Sequence, residues 1–274
     1  MTILDSGTRA LVEINEWPPD SDVYGLLSQY SMLKYGDITS IRGFAQPLAD
    51  IASSWASVND VNVTCPPSYA IPSAADYLCD AVASILINRG LRVVRLRLPS
   101  PGREKRVQTH AHDYAMLSYD DRVRAQLKRY RGLCDAVGGD IQNLVIVNDA
   151  RITGAQEVAL ADELKKCSDS FSVLWVYIVR ADLSSGMSPM VEHFVNSLRV
   201  RDANDVIKLG ATRPLAITAR LARRVLLFTP VDFGRLISTW PKELLVELRV
   251  AAEKEGLGAI PCMAGNLDRL LDVT

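Results

Sequence analysis

The stretch Asn143-Leu-Val-Ile-Val-Asn-Asp-Ala-Arg-Ile-Thr-Gly-Ala-Gln-Glu157 decides how the rest of this chain is read. Leu144 to Val147 is a short continuous apolar run, the pattern of a strand buried on both faces. Asn148 and Asp149 stand where that strand would end, and Thr153-Gly154 makes a tight turn. Gln156 to Lys166 then carries Val158, Leu160, Ala161 and Leu164 as the apolar positions of a helix. This order of parts can hold a phosphorylated ribose. The turn and the helix start offer backbone N–H groups and the positive end of a dipole to a phosphate. The acid can accept hydrogen bonds from ribose hydroxyls. The same order of residues also arises in α/β proteins for local capping reasons alone.

The flanking sequence alternates strands and helices. Val61 to Thr64 reads as a strand, Cys65 to Ser73 as a proline-dense loop, and Ala74 to Asn88 as a helix closed by Gly90. In Leu91 to Leu98, Val94, Leu96 and Leu98 alternate with Arg95 and Arg97, which predicts a strand whose arginine face is wet or meets anions. Pro99 to Tyr119 has no clear period and holds Arg103, Lys105, Arg106 and His110; it is either a solvated charge run or an anion-binding loop. Asp120 to Cys134 is a basic amphipathic helix with Val123, Leu127, Tyr130 and Leu133 inward, and Ser172 to Val179 is a further buried strand. Residues 61–179 therefore read β-α-β-loop-α-β-α-β. That order predicts an α/β fold, a parallel sheet with helices on both faces and a binding crevice at the strand carboxyl ends.

The two ends read as helical. Asp20 or Ser21 caps a helix through Val23, Leu26, Leu27 and Tyr30, which Lys34-Tyr35-Gly36-Asp37 ends, Gly36 serving as a C-cap. Ile38 to Trp55 is a second helix that Pro47 should kink or split. Beyond residue 180, helices are expected at Pro189–Leu198, Leu215–Phe228, Val231–Ile237 and Pro241–Glu255, with Arg220, Arg223 and Arg224 on a solvated face. The expected organisation is a core over 59–182 and one helical hood, built from 1–58 and 183–274 and packed on that core.

Composition removes several classes. With 31 basic and 32 acidic residues the net charge is −1, so no overall field points to nucleic acid or membrane. No apolar run approaches the roughly 20 residues of a membrane span, and the N-terminus has no basic start or apolar segment of a signal peptide. Cys65, Cys79, Cys134, Cys167 and Cys262 are scattered and form no C-x-x-C pair. Free thiols in a reducing cytoplasm are expected, rather than a zinc site or a disulfide framework.

Val145-Ile146-Val147-Asn148-Asp149 followed by Thr153-Gly154 resembles the phosphoribosyl-pyrophosphate (PRPP) motif of type I phosphoribosyltransferases. Within them the chain looks closest to the competence-factor-like branch associated with tellurium-resistance and stress operons. It departs from the motif at two positions: Asn148 replaces the first acid, and Gln156 sits where a threonine is common. The resemblance implies that the PRPP 5-phosphate sits in the turn of Thr153, Gly154, Ala155 and Gln156. Asn148 and Asp149 would meet the ribose. Pro67, Ser68, Tyr69 and Ala70 would form the pyrophosphate loop, often built around a cis peptide, with N–H groups from Ser68 to Ile71 and the Ser73 hydroxyl as donors. Mg²⁺ would be reached by Asp149 through substrate or water. Arg103, Lys105 and Arg106, with His110, would close over the leaving pyrophosphate and act with Asp149 in catalysis.

The resemblance further implies that the hood selects a base or other small acceptor, and that the protein is a cytoplasmic glycosyltransferase, with a homodimer as the expected oligomer. Ile152 occupies a place where some purine enzymes have an acid, so no general base is assigned. Asp149→Ala is expected to abolish turnover, and Asn148→Asp to be tolerated or mildly activating. The missing acid supports an alternative: a PRPP- or nucleotide-sensing regulator that kept the fold without the chemistry. No G-x-G-x-x-G follows the first core strand and no P-loop is present, which argues against dinucleotide and P-loop enzymes.

Overall fold

The computed structural model describes residues 6–56, 60–98, 118–130, 143–166, 172–181, 183, 188 and 190–274. Its strands are β1 (Ser6–Ile14), β2 (Asp60–Thr64), β3 (Arg92–Arg95), β4 (Asn143–Arg151) and β5 (Ser172–Ala181). They make one sheet in the order β1-β5-β4-β2-β3, and every neighbouring pair is parallel. The chain divides into two compact units, Met1–Tyr24, Arg42–Pro67 and Ala75–His193 in one, and Gly25–Ile41, Ser68–Ala74 and Phe194–Thr274 in the other.

The first unit contains the sheet. Helices α3 (Ala74–Asn88, its first residue excepted), α4 (Tyr119–Tyr130) and α5 (Ala155–Leu164) belong to it. On one face, Leu144 and Ile146 of β4 and Val173, Trp175 and Tyr177 of β5 pack with Tyr130 of α4 and Leu160 and Leu164 of α5. The Trp175 and Tyr177 rings stack with centroids 5.9 Å apart. The residues between them, Val145, Val147, Leu174, Val176 and Ile178, are buried as well. Cover on both sides is why β4 and β5 read as unbroken apolar runs. From β2 the chain steps one way to β3 and then crosses back to β4 and β5. Right-handed crossovers put α3 on one face and α4 and α5 on the other. The order reverses between β2 and β4, so the binding crevice of such a sheet opens at their carboxyl ends.

Two features differ from the expectation. Residues 6–14, assigned to the hood, form an edge strand of the sheet, in register with β5 from Ser6↔Val173 to Ile14↔Ala181. The alternation expected over 91–98 breaks at two positions: Val94 is 57% exposed and the Arg95 side chain only 17%, whereas Leu96 and Leu98 pack inward and Arg97 stays exposed as expected. Asp80 of α3 draws the Arg95 guanidinium inward at 2.7 Å, with the Cys65 sulfur 3.1 Å away. A paired guanidinium can be buried where an unpaired one cannot. Of the two outcomes expected at Pro47 the split does not occur, and α2 runs Ile38–Trp55 as one helix.

The second unit is helical. It holds most of α1 (Ser21–Lys34), the first turn of α2, the end of α6 (Val191–Ser197), and α7 (Ala203–Thr212), α8 (Ala219–Leu226), α9 (Pro230–Thr239), α10 (Lys242–Glu255) and α11 (Pro261–Leu271). Leu209, Leu221, Val225, Phe233, Leu236, Leu248 and Leu270 form its core. Helices α7 and α11 were not anticipated, although Asp202 caps α7 by accepting the Asp205 N–H and Pro261 opens α11. The Lys34–Asp37 turn is held at Gly36, whose φ is +86°. A Cβ there would lie 2.0 Å from the Ala216 carbonyl oxygen. Arg223, expected on a solvated face, bonds at 3.1 Å to buried Glu255 of α10. The other Glu255 oxygen accepts the Ile71 N–H at 2.9 Å, which fastens the loop after β2 to the end of α10.

Among the described residues, Cys65, Cys79 and Cys262 are free thiols, and no helix is long and apolar enough to cross a membrane. Cys134 and Cys167 lie outside the described residues.

Candidate functional site

Strand β4 extends to Arg151, so Asn148 and Asp149 lie within the strand rather than past its end. Successive strand side chains point to opposite faces, and these two therefore diverge. Asn148 is 5% exposed. Its Nδ2 donates to Gln156 Oε1 at 2.8 Å and its Oδ1 accepts the Asp149 N–H at 2.9 Å. The two residues at which the motif departs are thus hydrogen-bonded to each other, and they tie the strand end to the first turn of α5. Asp149 is half-buried, and its Oδ1 accepts the Ala150 N–H at 2.8 Å.

The turn that follows is left-handed at Gly154, φ +72°, which is the N-cap of α5. Glycine adopts this conformation without the Cβ penalty that other residues carry. It offers no side chain to the first helical N–H groups, and the Thr153 hydroxyl stands 3.5 Å from the Ala155 N–H. A helix start of this kind presents N–H donors and a positive dipole end to an anion.

Sequence reasoning missed Arg151. Its guanidinium pairs with Glu157 of α5, and Glu157 in turn accepts the Thr8 hydroxyl at 2.7 Å. Burial works against the Arg151 charge, but the hydrogen bond and carboxylate of Glu157 more than offset it and hold the group charged above its ordinary range. The guanidinium lies over the turn, 3.1 Å from where a Gly154 Cβ would be. A phosphate reaching the turn would therefore meet a cation as well as backbone donors. The signal was weak because Thr8 belongs to the unanticipated strand β1.

Beside the turn is a cleft of about 400 Å³. Arg151 at the end of β4, Ile152 and Thr153 just after it, Arg180, Ala181 and Leu183 at and beyond the end of β5, and Thr8 line it. Arg180 reaches Glu13 at 3.2 Å.

Pro67 closes a segment of the first unit, and Ser68, Tyr69 and Ala70 belong to the second. The Ile71 N–H, one of the donors expected for pyrophosphate, is committed to Glu255. Among the described residues the cis peptide is Trp17–Pro18, and the 65–73 loop has none. Arg103, Lys105, Arg106 and His110 lie outside the described residues. At the foot of this loop, the Cys65 thiol is pushed up by its hydrogen bond with Cys79 and by burial. A thiol so held is a packing group rather than a nucleophile.

Among the described residues no group of three or more His, Cys, Asp or Glu side chains could hold a metal ion. Among the described residues beside the turn the carboxylates are Asp149 and Glu157, and Glu157 is engaged by Arg151 and Thr8. That fits Mg²⁺, which keeps several waters and takes phosphate oxygens, and does not fit a metal that needs a protein cage.

No curated protein matches the chain at a significant level. The family described as PRTase ComF-like matches residues 8–269, nearly the full 274, and the chain belongs to that family of phosphoribosyltransferase-like proteins.

Proposed function

We propose that the protein binds PRPP with Mg²⁺ and transfers its phosphoribosyl group to a small acceptor, releasing pyrophosphate. The observation that carries this is the run from half-buried Asp149 through the left-handed Gly154 turn into the start of α5, at the switch side of the parallel sheet. The 5-phosphate sits at the turn, on backbone N–H groups and the Thr153 hydroxyl. Arg151 turns from Glu157 toward the phosphate, trading one charge-assisted bond for another. Asp149 accepts from the ribose hydroxyls and fixes the sugar so that the acceptor meets C1 in line with the leaving oxygen. When bound, Mg²⁺ would neutralise charge on pyrophosphate, with Asp149 holding one of its waters. Arg103, Lys105 and Arg106 are proposed as the cations that add to this neutralisation. Asn148 and Gln156 support the turn rather than touch the sugar.

Calorimetric titration of PRPP with MgCl₂ tests binding, and pyrophosphate release over a panel of acceptors tests transfer. Asp149→Ala is expected to weaken PRPP by more than about tenfold, the usual consequence of losing a charged hydrogen-bond partner. PRPP binding equal to wild type in that variant would falsify the assignment. One observation favours a second reading. Asn148 supplies no charge and its amide is occupied by Gln156, so the site has one acid fewer than the motif. Tight PRPP binding with no pyrophosphate released under any acceptor would identify a sensor instead of a transferase.

A further inference from the structure

We infer that β1, at one end of the sheet, pairs antiparallel with β1 of a second copy of this chain about a two-fold axis at Leu11, so that the two sheets join into one. This pairing depends on the sheet edge alone and not on what the protein binds.

The two edges of the sheet are built differently. At one, β3 is four residues long and carries Arg92 and Arg95; short, charged edge strands resist pairing. At the other, β1 is nine residues long and contains neither lysine nor proline. It keeps one register on β5 from Ser6↔Val173 to Ile14↔Ala181, so no bulge turns it aside. In a strand, alternate residues direct their N–H and C=O groups to opposite sides. Every second residue of β1 therefore serves β5, and among the described residues no further strand takes the others. An edge of this kind accepts an added strand through main-chain hydrogen bonds.

The order of charges makes that strand a second copy. Arg9 and Glu13 stand two residues to either side of Leu11, on one face of the strand. Antiparallel pairing of β1 with itself about Leu11 sets Arg9 opposite Glu13 of the second copy, and symmetry repeats the pair. Arg9 is exposed and reaches the Thr8 carbonyl oxygen at 3.4 Å, a long contact. Glu13 is exposed and meets Arg180 of β5 through Oε1 at 3.2 Å. A carboxylate has about four acceptor sites, so Glu13 can hold a guanidinium on each side. On the other face Ala10 falls opposite Val12 and Thr8 opposite Ile14, small and β-branched side chains that suit neighbouring strands. Moving either strand by two residues sets Leu11 against Arg9 or Glu13 and loses both ion pairs.

Sedimentation of the full chain over a concentration series is expected to show a dimer. Arg9→Glu and Glu13→Arg each oppose like charges twice, and each should weaken that dimer about tenfold or more. Mixed in equal amounts, the two variants should form it again, because every opposed pair then joins a glutamate to an arginine. Mixing would not cure a folding defect. Hydrogen exchange on the wild type is the second measurement: alternate amides between Thr8 and Glu13 should lose protection on dilution. A wild type that stays monomeric overturns the inference. So does a dimer that survives both charge reversals, or one whose folded variants stay apart when mixed, or one whose β1 amides exchange alike at every concentration. Should either variant fail to fold, the exchange measurement on the wild type decides by itself.

Discussion

Asn148 shows how a single residue can change meaning between sequence and structure. As a motif position it is a lost acid, and restoring it with Asn148→Asp should be harmless. At 5% exposure and 2.8 Å from Gln156, it is instead half of a buried amide pair. A carboxylate there would be desolvated and would lose the Nδ2 donor that Gln156 accepts, so Asn148→Asp is expected to lower stability by about 1–3 kcal/mol. Gln156→Thr should also destabilise, and the double variant Asn148→Asp/Gln156→Thr should lose less than the two single losses together. Urea unfolding in a double-mutant cycle measures this, with a coupling of about 0.5–3 kcal/mol expected for residues in contact. Strict additivity would mean that the two departures are unrelated. The importance of position 148 was legible in the sequence; its partner was not, because nothing in the chain marks an amide eight residues away as one.

At the scale of elements, the strand-turn-helix unit and the alternation from β2 to β5 followed from apolar runs and caps. What failed were elements whose pattern is set by tertiary neighbours. Strand β1 interleaves Ala10, Val12 and Ile14 with Arg9 and Glu13, a weak signal that becomes a strand through pairing with β5. At β3 the expected alternation breaks at Val94 and Arg95, because Asp80, on a helix, supplies the partner that lets Arg95 turn in. The loop after β2, expected to hold pyrophosphate, is anchored on α10, a partner far away in sequence. Glu255→Ala removes the acceptor of the Ile71 N–H and of Arg223 together. Breaking a buried pair from one side costs about 3–5 kcal/mol. Thermal or urea unfolding should show a loss of that order, and Glu255→Gln, which keeps an acceptor, should lose less. An unchanged midpoint in Glu255→Ala would mean the loop is held elsewhere.

For the whole molecule, pH enters through groups that folding keeps protonated. The hydrogen bond with Cys79, and then burial, raise Cys65 above its ordinary 9.0; burial, and then Glu157, raise Tyr177 above 10.0. Both shifts favour the neutral form in the native state. Their contribution is complete below the unfolded values and is lost as pH climbs through the folded ones, because the unfolded chain then binds fewer protons than the native one. Stability is therefore expected to fall above about pH 9. Cys65→Ala should flatten the early part of that fall in denaturant titrations at successive pH values, and an identical slope in the variant would count against it.

The register of β1 on β5 carries a consequence for how the protein is made. Ser6 hydrogen-bonds in a ladder whose other side begins at Val173. A ribosome must therefore make β2 through β4 before β1 meets β5, the strand with which it pairs. Closing so long a loop is slow and entropically costly. During that wait the nascent segment around Leu11–Ile14 is an unpaired apolar edge, open to chaperones and to neighbouring nascent chains.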